Sequence, residues 1–276
     1  MGGICFIAAI LCVMLGMAIY YLINGLQSDM IPLALTFVFA LANGLIGFVD
    51  DYCKLIKKQN QGLRGYQKIL LQVLFGACYL AAMGGLGYLE TAVHIPFTDF
   101  YLELGFGYYL FAILLIVGMV NSVNLTDGID GLASTVTFVV FTFFCVLSFV
   151  MEDTSLMLIS SSIMGALIGF LIFNLHPAQV FMGDTGSLFL GGAVVGAALL
   201  INEPLIVLLV GIIYVIEALS DIIQVVSFKT RNKRVFKMAP IHHHFEKCGW
   251  SENTIVLVFS VTTLICCVLA WFGLRI

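Results

Sequence analysis

Four short polar stretches interrupt an otherwise apolar chain, and their residue types suit phosphate and metal chemistry. The stretch from Asn121 to Leu132 carries Asp127 and Asp130, with Asn121, Asn124 and two glycines around them. A carboxylate at the end of a membrane helix is costly unless water, a cation or a ligand compensates it. A helix starting here would put both carboxylates on roughly one face; the alternative is a polar turn joining two helices. In Asp50-Asp51-Tyr-Cys-Lys54, adjacent carboxylates repel, and at a low-dielectric edge one has its pKa raised unless a cation sits between them. Such a pair suits a divalent metal, or one base beside one metal ligand. Lys54, a turn later, could hold a phosphate or balance Asp51 at a solvated helix end. In Phe173 to Ser187, Pro177 ends a helix and Gly183-Asp184-Thr185-Gly186-Ser187 opens the next. Asp184 there is either an N-cap or a hard-cation ligand at a helix start that favours phosphate; His176 stays unassigned. Three consecutive histidines, His242, His243 and His244, follow Pro240, and at most two can converge on one site. They lack zinc-type spacing and have only Cys248 as a weak further ligand, so phosphate donors fit better than a zinc site. Carboxylates for Mg²⁺ with Lys and His for phosphate oxygens form the inventory of phosphoryl transfer.

The elements that must position these groups are membrane helices. The chain has 276 residues, 61% hydrophobic and 10% charged, with mean hydropathy +1.09. A soluble domain carries about 25% charged residues. Nine apolar windows near spanning length recur, at about 4–26, 30–49, 69–89, 106–123, 131–150, 155–173, 185–202, 204–226 and 253–273. The expected fold is therefore an all-α polytopic membrane protein with one domain over residues 1–276. Eleven of the twelve basic residues fall in the loops 50–68 and 227–252, and only Arg275 lies elsewhere. With nine spans, those loops share a face with 121–130 and 174–184, and the positive-inside rule makes it cytoplasmic. Residues 90–105 read as a short extracytoplasmic hairpin, with His94 as an exposed loop histidine. Glu217 and Asp221 inside window 204–226 call for a tilted or broken helix. Most of the eight cysteines sit in apolar windows without ligand spacing and read as core residues.

At these residues the chain resembles the phospho-N-acetylmuramoyl-pentapeptide transferase family of bacterial peptidoglycan synthesis, within the polyprenyl-phosphate sugar-1-phosphate transferase superfamily. The matching motifs are Asp50-Asp51-Tyr-Cys-Lys54, Asn121 to Leu132, Asn174 to Ser187 and Ala239-Pro-Ile-His-His-His-Phe-Glu246. The resemblance implies transfer of phospho-MurNAc-pentapeptide from UDP-MurNAc-pentapeptide to undecaprenyl phosphate, giving lipid I and UMP with Mg²⁺. It implies Asp184 as principal Mg²⁺ ligand, Asp50 as the base, and Asp51 supporting the metal or orienting Asp50. Lys54, Asn174, His242 and His243 are implied phosphate contacts, with the role of each residue in His242 to His244 left open. Asn124, Leu125, Asp127, Asp130, Phe181 and Gly183 are implied to form the uridine pocket, with Phe181 able to stack on uracil. Lys68 is a further candidate for uridine or phosphate. The family further implies a homodimer in the bacterial cytoplasmic membrane, a site facing the cytoplasm and no nucleic-acid partner. It usually has ten helices and a Pro-Thr-Met-Gly-Gly motif before the second; this chain begins at Met1-Gly2-Gly3, so the first helix is expected to be absent. The alternatives are a sibling transferase using another UDP-sugar, differing in the His loop, and a cation-coupled carrier. A carrier needs a midplane site, and only Glu217 approaches the centre of a window.

Overall fold

A computed structural model describes residues 2–25, 27–58 and 62–274; Met1 and Arg275 lie outside the described residues. The elements in chain order are α1 (Gly3–Asn24), α2 (Gln27–Lys57), α3 (Gly65–Gly85), β1 (Ala92–His94), β2 (Tyr101–Glu103), α4 (Gly107–Thr126), α5 (Leu132–Met151), α6 (Thr154–Asn174), α7 (Gly183–Leu200), α8 (Ile206–Val210), α9 (Ile212–Arg231), α10 (Ile241–Lys247) and α11 (Glu252–Gly273). Among the described residues, eight helices are long and apolar enough to cross a membrane. The chain is an all-α polytopic membrane protein, as its apolar windows require. Helices dominate because hydrocarbon offers no partner to backbone N–H and C=O groups, and a helix satisfies them within one segment. The window 204–226 is the broken one, divided at Gly211 into the short α8 and the charge-bearing α9.

α7 is the axis of the bundle. In its apolar window 89% of the residues are buried, against 22% to 50% in the other seven spanning helices. Its sequence explains why: Gly192 and Gly196 let α2 approach closely, Gly191 does the same for α4 and Gly186 for α1, with Ala193 and Ala197 keeping the rest of the helix thin. The tightest point is Gly47 of α2, where an added Cβ would lie 2.0 Å from the carbonyl oxygen of Asp184. The outer helices turn Ile23, Leu110, Ile172 and Phe272 outward, as lipid-facing helices do. Buried hydroxyls find partners within the bundle: Thr36 with Tyr79 at 3.0 Å, and Thr137 with Tyr214 at 2.8 Å. Asp153 caps α6 and Ser251 caps α11, each accepting from a backbone N–H three residues on.

The end of the bundle away from the polar stretches carries the hairpin, β1 paired antiparallel with β2 in the register Val93 opposite Leu102. His94, expected as an exposed loop histidine, is instead buried to 1% exposure. Its Nδ1 lies 3.1 Å from Glu203 Oε2, and its Nε2 lies 3.0 Å from the carbonyl of Thr98. The ring can be buried because both nitrogens have partners. Burial pushes the Glu203 carboxyl up, and the His94 contact offsets part of that shift. The hairpin is clamped further by Glu90 N–H to Asn202 Oδ1 at 2.9 Å and Phe97 N–H to Gly273 O at 3.2 Å.

Candidate active site

Three elements meet at the other end. The last turns of α2 bring Asp50, Asp51 and Lys54, the first turn of α3 brings Lys68, and the first turn of α7 brings Asp184 and Thr185. Lys54 Nζ lies 2.6 Å from Asp50 Oδ2 and 3.2 Å from Asp184 Oδ2. Lys68 Nζ lies 2.7 Å from Asp184 Oδ2 and 3.3 Å from Asp50 Oδ2. The two ammonium groups therefore sit where adjacent carboxylates need a cation. Three carboxylates against two ammoniums leave the cluster one negative charge in excess. Asp50 is fully buried, and its other oxygen accepts from Leu63 N–H at 2.6 Å.

Asp184 is not the N-cap of α7. Asp51 takes that part from a neighbouring helix, accepting from Thr185 N–H at 3.0 Å, Thr185 Oγ1 at 2.7 Å and Asp184 N–H at 3.3 Å. The chain opens α7 at Gly183, with φ of 68°, directly against Asp51, so the cap comes from α2 and the Asp184 side chain is free to face the lysines. Asn124 at the end of α4 completes the wall, its Nδ2 donating to Asp184 Oδ1 at 3.1 Å and Ser187 Oγ at 2.7 Å.

Asp50, Asp51 and Asp184 each present an oxygen, all within 4.8 Å of one another. Such an all-carboxylate set suits a hard divalent cation such as Mg²⁺, and the excess negative charge favours one. Asp184 and Asp51 would hold it, with Asp50 in reach.

Asp127 and Asp130 do not share a helical face. α4 ends at Thr126 and α5 begins at Leu132, so both acids lie in the turn between, and they diverge. Asp127 faces the cluster; burial, with the charges of Asp184 and Asp51 adding to it, pushes its carboxyl well above the usual carboxylate range. Asp130 turns the other way and accepts from Ala178 N–H and His176 Nδ1, both at 2.9 Å. Glu252 at the start of α11 accepts from Asp130 N–H at 3.0 Å, tying three segments together. His176 thus belongs to this tie.

The remaining sequence candidates divide. Phe181 is 63% exposed and precedes Asp184 by three residues, and Leu125 is half-buried. Asn174 is buried and committed, accepting from Ser134 Oγ at 2.6 Å and donating to Val180 O at 2.9 Å, so it shapes the 175–182 loop. His242 is fully buried against Glu217, while His243 pairs with Glu246 and lies tilted against His242, with ring centroids 4.1 Å apart. His244 turns away, its Nδ1 accepting from Lys237 N–H at 3.0 Å. Gln72, Ser187 and Glu252 went unread in the sequence. Gln72 had a signal: it follows Lys68 by one helical turn on the same face, and it accepts from Asn121 Nδ2 at 2.7 Å.

An apolar groove of about 580 Å³ between α1, α2 and α3 runs to this end, lined by Ile7, Leu11, Leu41, Leu45, Phe75 and Thr185 among others.

Residues 31–202 match the family described as glycosyl transferase family 4. The chain is 47% identical over 236 residues to the phospho-N-acetylmuramoyl-pentapeptide-transferase of Clostridium botulinum (strain Eklund 17B), covering 85% of this chain and 72% of that protein. It is 46% identical over 274 residues to that of Clostridium perfringens (strain 13), covering 99% and 83%. With that of Bacillus cytotoxicus it shares 42% over 259 residues, covering 94% and 78%.

Proposed function

We propose a function from one premise: the chain belongs to glycosyl transferase family 4, and within it to the phospho-N-acetylmuramoyl-pentapeptide transferases. It transfers phospho-MurNAc-pentapeptide from UDP-MurNAc-pentapeptide to undecaprenyl phosphate, giving lipid I and UMP. The observation that carries this is the meeting of Asp50, Asp51 and Asp184 with Lys54 and Lys68 at the N-terminus of α7, at one end of a bundle of membrane helices. By the positive-inside rule that end is the cytoplasmic one, which puts the site on the inner face of the bacterial cytoplasmic membrane, within a single domain over residues 1–276.

An oxygen of the lipid phosphate attacks the β-phosphorus of the donor, and the bond to the α-phosphate breaks so that UMP leaves. Mg²⁺ bound by Asp184 and Asp51 would neutralise charge spreading onto the departing phosphate. Lys54 and Lys68 now neutralise carboxylates; an arriving phosphate gives both ammoniums a second anion to bridge. Asp50 takes the remaining proton of the lipid phosphate through Oδ2, the oxygen that meets the two ammoniums, while Oδ1 is held by Leu63 N–H. Direct attack fits better than a covalent aspartyl intermediate, because a base at Asp50 and a metal held by Asp184 and Asp51 would suffice for it, whereas a two-step route requires a further well-placed carboxylate as nucleophile. Asn124, Leu125, Asp127 and Phe181 line the nucleotide side, where Phe181 stacks on uracil. Asp130 and Gly183 support that wall, Asn174 shapes its loop, and the half-buried His243, released from Glu246, would reach phosphate. The apolar groove ending at Thr185 offers a path for the isoprenoid tail. A homodimer belongs to the same proposal, tested by mass measurement in nanodiscs.

The test is UMP release from UDP-MurNAc-pentapeptide and undecaprenyl phosphate by purified protein in detergent, with Mg²⁺ and with EDTA. Mg²⁺-dependent release is expected. Asp50→Asn is expected to lose turnover yet keep donor binding; loss of both together would count against Asp50 as the base.

A further inference from the structure

Glu217 of α9 and His242 of α10 are both fully buried, and Glu217 Oε2 lies 3.0 Å from His242 Nδ1. The far nitrogen of the ring, Nε2, is buried without a hydrogen-bond partner among the described residues. Gly128 shows where it points. A Cβ at residue 128 would stand 2.2 Å from Nε2 and 2.6 Å from Cε1, so the ring edge fills the room a side chain would take. Gly128 itself is exposed and adjoins Asp127 in the nucleotide wall.

Counting protons decides what Nε2 is. A net charge buried away from water is heavily penalised, so the pair is neutral as a whole. Three neutral arrangements exist. A carboxylate with an imidazolium, and a carboxylic acid donating to Nδ1 of a neutral ring, both leave a hydrogen on Nε2. A carboxylic acid whose Oε2 accepts from Nδ1–H leaves Nε2 bare, but it strands its acidic hydrogen on Oε1, which is buried with no partner among the described residues. A carboxylate beside a neutral ring also leaves Nε2 bare, and that buries an uncompensated charge. His243, the other ionisable group against the ring, is occupied by Glu246 and does not supply the compensation. The pair therefore stations an N–H donor, lacking an acceptor, beneath the Gly128 turn. An anion is the partner this chemistry asks for.

We propose that Glu217 is a positioning residue: it holds His242 so that Nε2–H faces the Gly128 turn and serves the phosphates of the donor nucleotide. This rests on the transferase function proposed above. Gly128 matters because any side chain there would push the ring away from that turn.

The test compares binding of UDP with binding of uridine, by calorimetry on purified protein in detergent, for the wild type, Glu217→Leu and Glu217→Gln. A hydrogen bond to a charged phosphate is worth about 10- to 100-fold in affinity. Glu217→Leu is expected to lose about that much UDP affinity with uridine binding unchanged. Glu217→Gln, whose amide donates to Nδ1 and keeps the hydrogen on Nε2, is expected to restore most of it. Equal loss for UDP and uridine would reduce the pair to a structural contact and overturn the proposal, as would unchanged UDP binding. Should Glu217→Leu fail to fold, ¹⁵N-histidine spectra of the wild type decide, since a bare Nε2 overturns it. A wild type that binds neither ligand refutes the transferase function itself, whereas a wild type that prefers UDP leaves only the pair in question.

Discussion

The two lysines in the carboxylate cluster occupy the same field that a divalent cation needs, and Lys68→Gln separates their contributions. Lys68 Nζ lies 2.7 Å from Asp184 Oδ2 and 3.3 Å from Asp50 Oδ2. Its removal takes the cluster from one negative charge in excess to two. A divalent ion among these carboxylates would lie roughly 5 Å from the ammonium. Their repulsion, 332 times two over ε times distance, is about 1.7 kcal/mol at the dielectric of water and about 6.6 kcal/mol at an effective ε of ~20. The Lys54 and Lys68 side chains are 34% and 19% exposed, so solvent screens the cluster and the lower figure is the working one. That figure corresponds to about 15-fold tighter cation binding. The assay is titration with Mn²⁺ as a paramagnetic stand-in for Mg²⁺, followed by electron paramagnetic resonance at pH 8 without nucleotide. Lys68→Gln is expected to bind Mn²⁺ about 15-fold more tightly, Lys54→Gln somewhat less so, and both to lose turnover because phosphate loses a cation. Unchanged or weaker Mn²⁺ binding in Lys68→Gln would refute the competition and move the ion away from Asp184.

Two further outcomes follow from the geometry. Asp127→Asn should stabilise the metal-free protein at pH 8 and do little near pH 4: with its folded pKa raised, the wild type loses stability as pH rises from the ordinary carboxylate value through the raised one, and the amide does not. Each unit of that shift is worth about 1.4 kcal/mol, and equal melting temperatures for the two proteins in EDTA at both pH values would contradict it. Gly47→Ala sets a Cβ 2.0 Å from a backbone carbonyl that cannot rotate aside, so a cost of about 3 kcal/mol or more and a lower melting temperature are expected, with turnover falling as Asp184 moves off the lysines; a native melting temperature would show that α2 and α7 pack less tightly.

What the sequence disclosed and what it withheld divide along the range of the interaction. Spanning windows, a hairpin within 90–105 and a tilted or broken helix over 204–226 depend on composition within some twenty residues, and all three are present, the last as a break at Gly211. The gathering of polar groups at one end follows from loop alternation alone. The partners within that gathering do not. Asp51 caps a helix that starts 132 residues later, and Lys68 pairs with an acid 116 residues away, so nothing local distinguishes a cap from a metal ligand. The burial of His94 escapes a local reading for the same reason: a histidine in a polar hairpin reads as solvated until Glu203, 109 residues on, is brought to its ring. Glu217, a charge in an apolar window, requires a partner, but nothing local names His242 as that partner. The centrality of α7 had left a trace, since glycines at Gly186, Gly191, Gly192 and Gly196 thin one helix more than lipid contact requires. Small residues make sense only where other backbones press in, and in this chain the helix they thin is the one whose N-terminus carries Asp184.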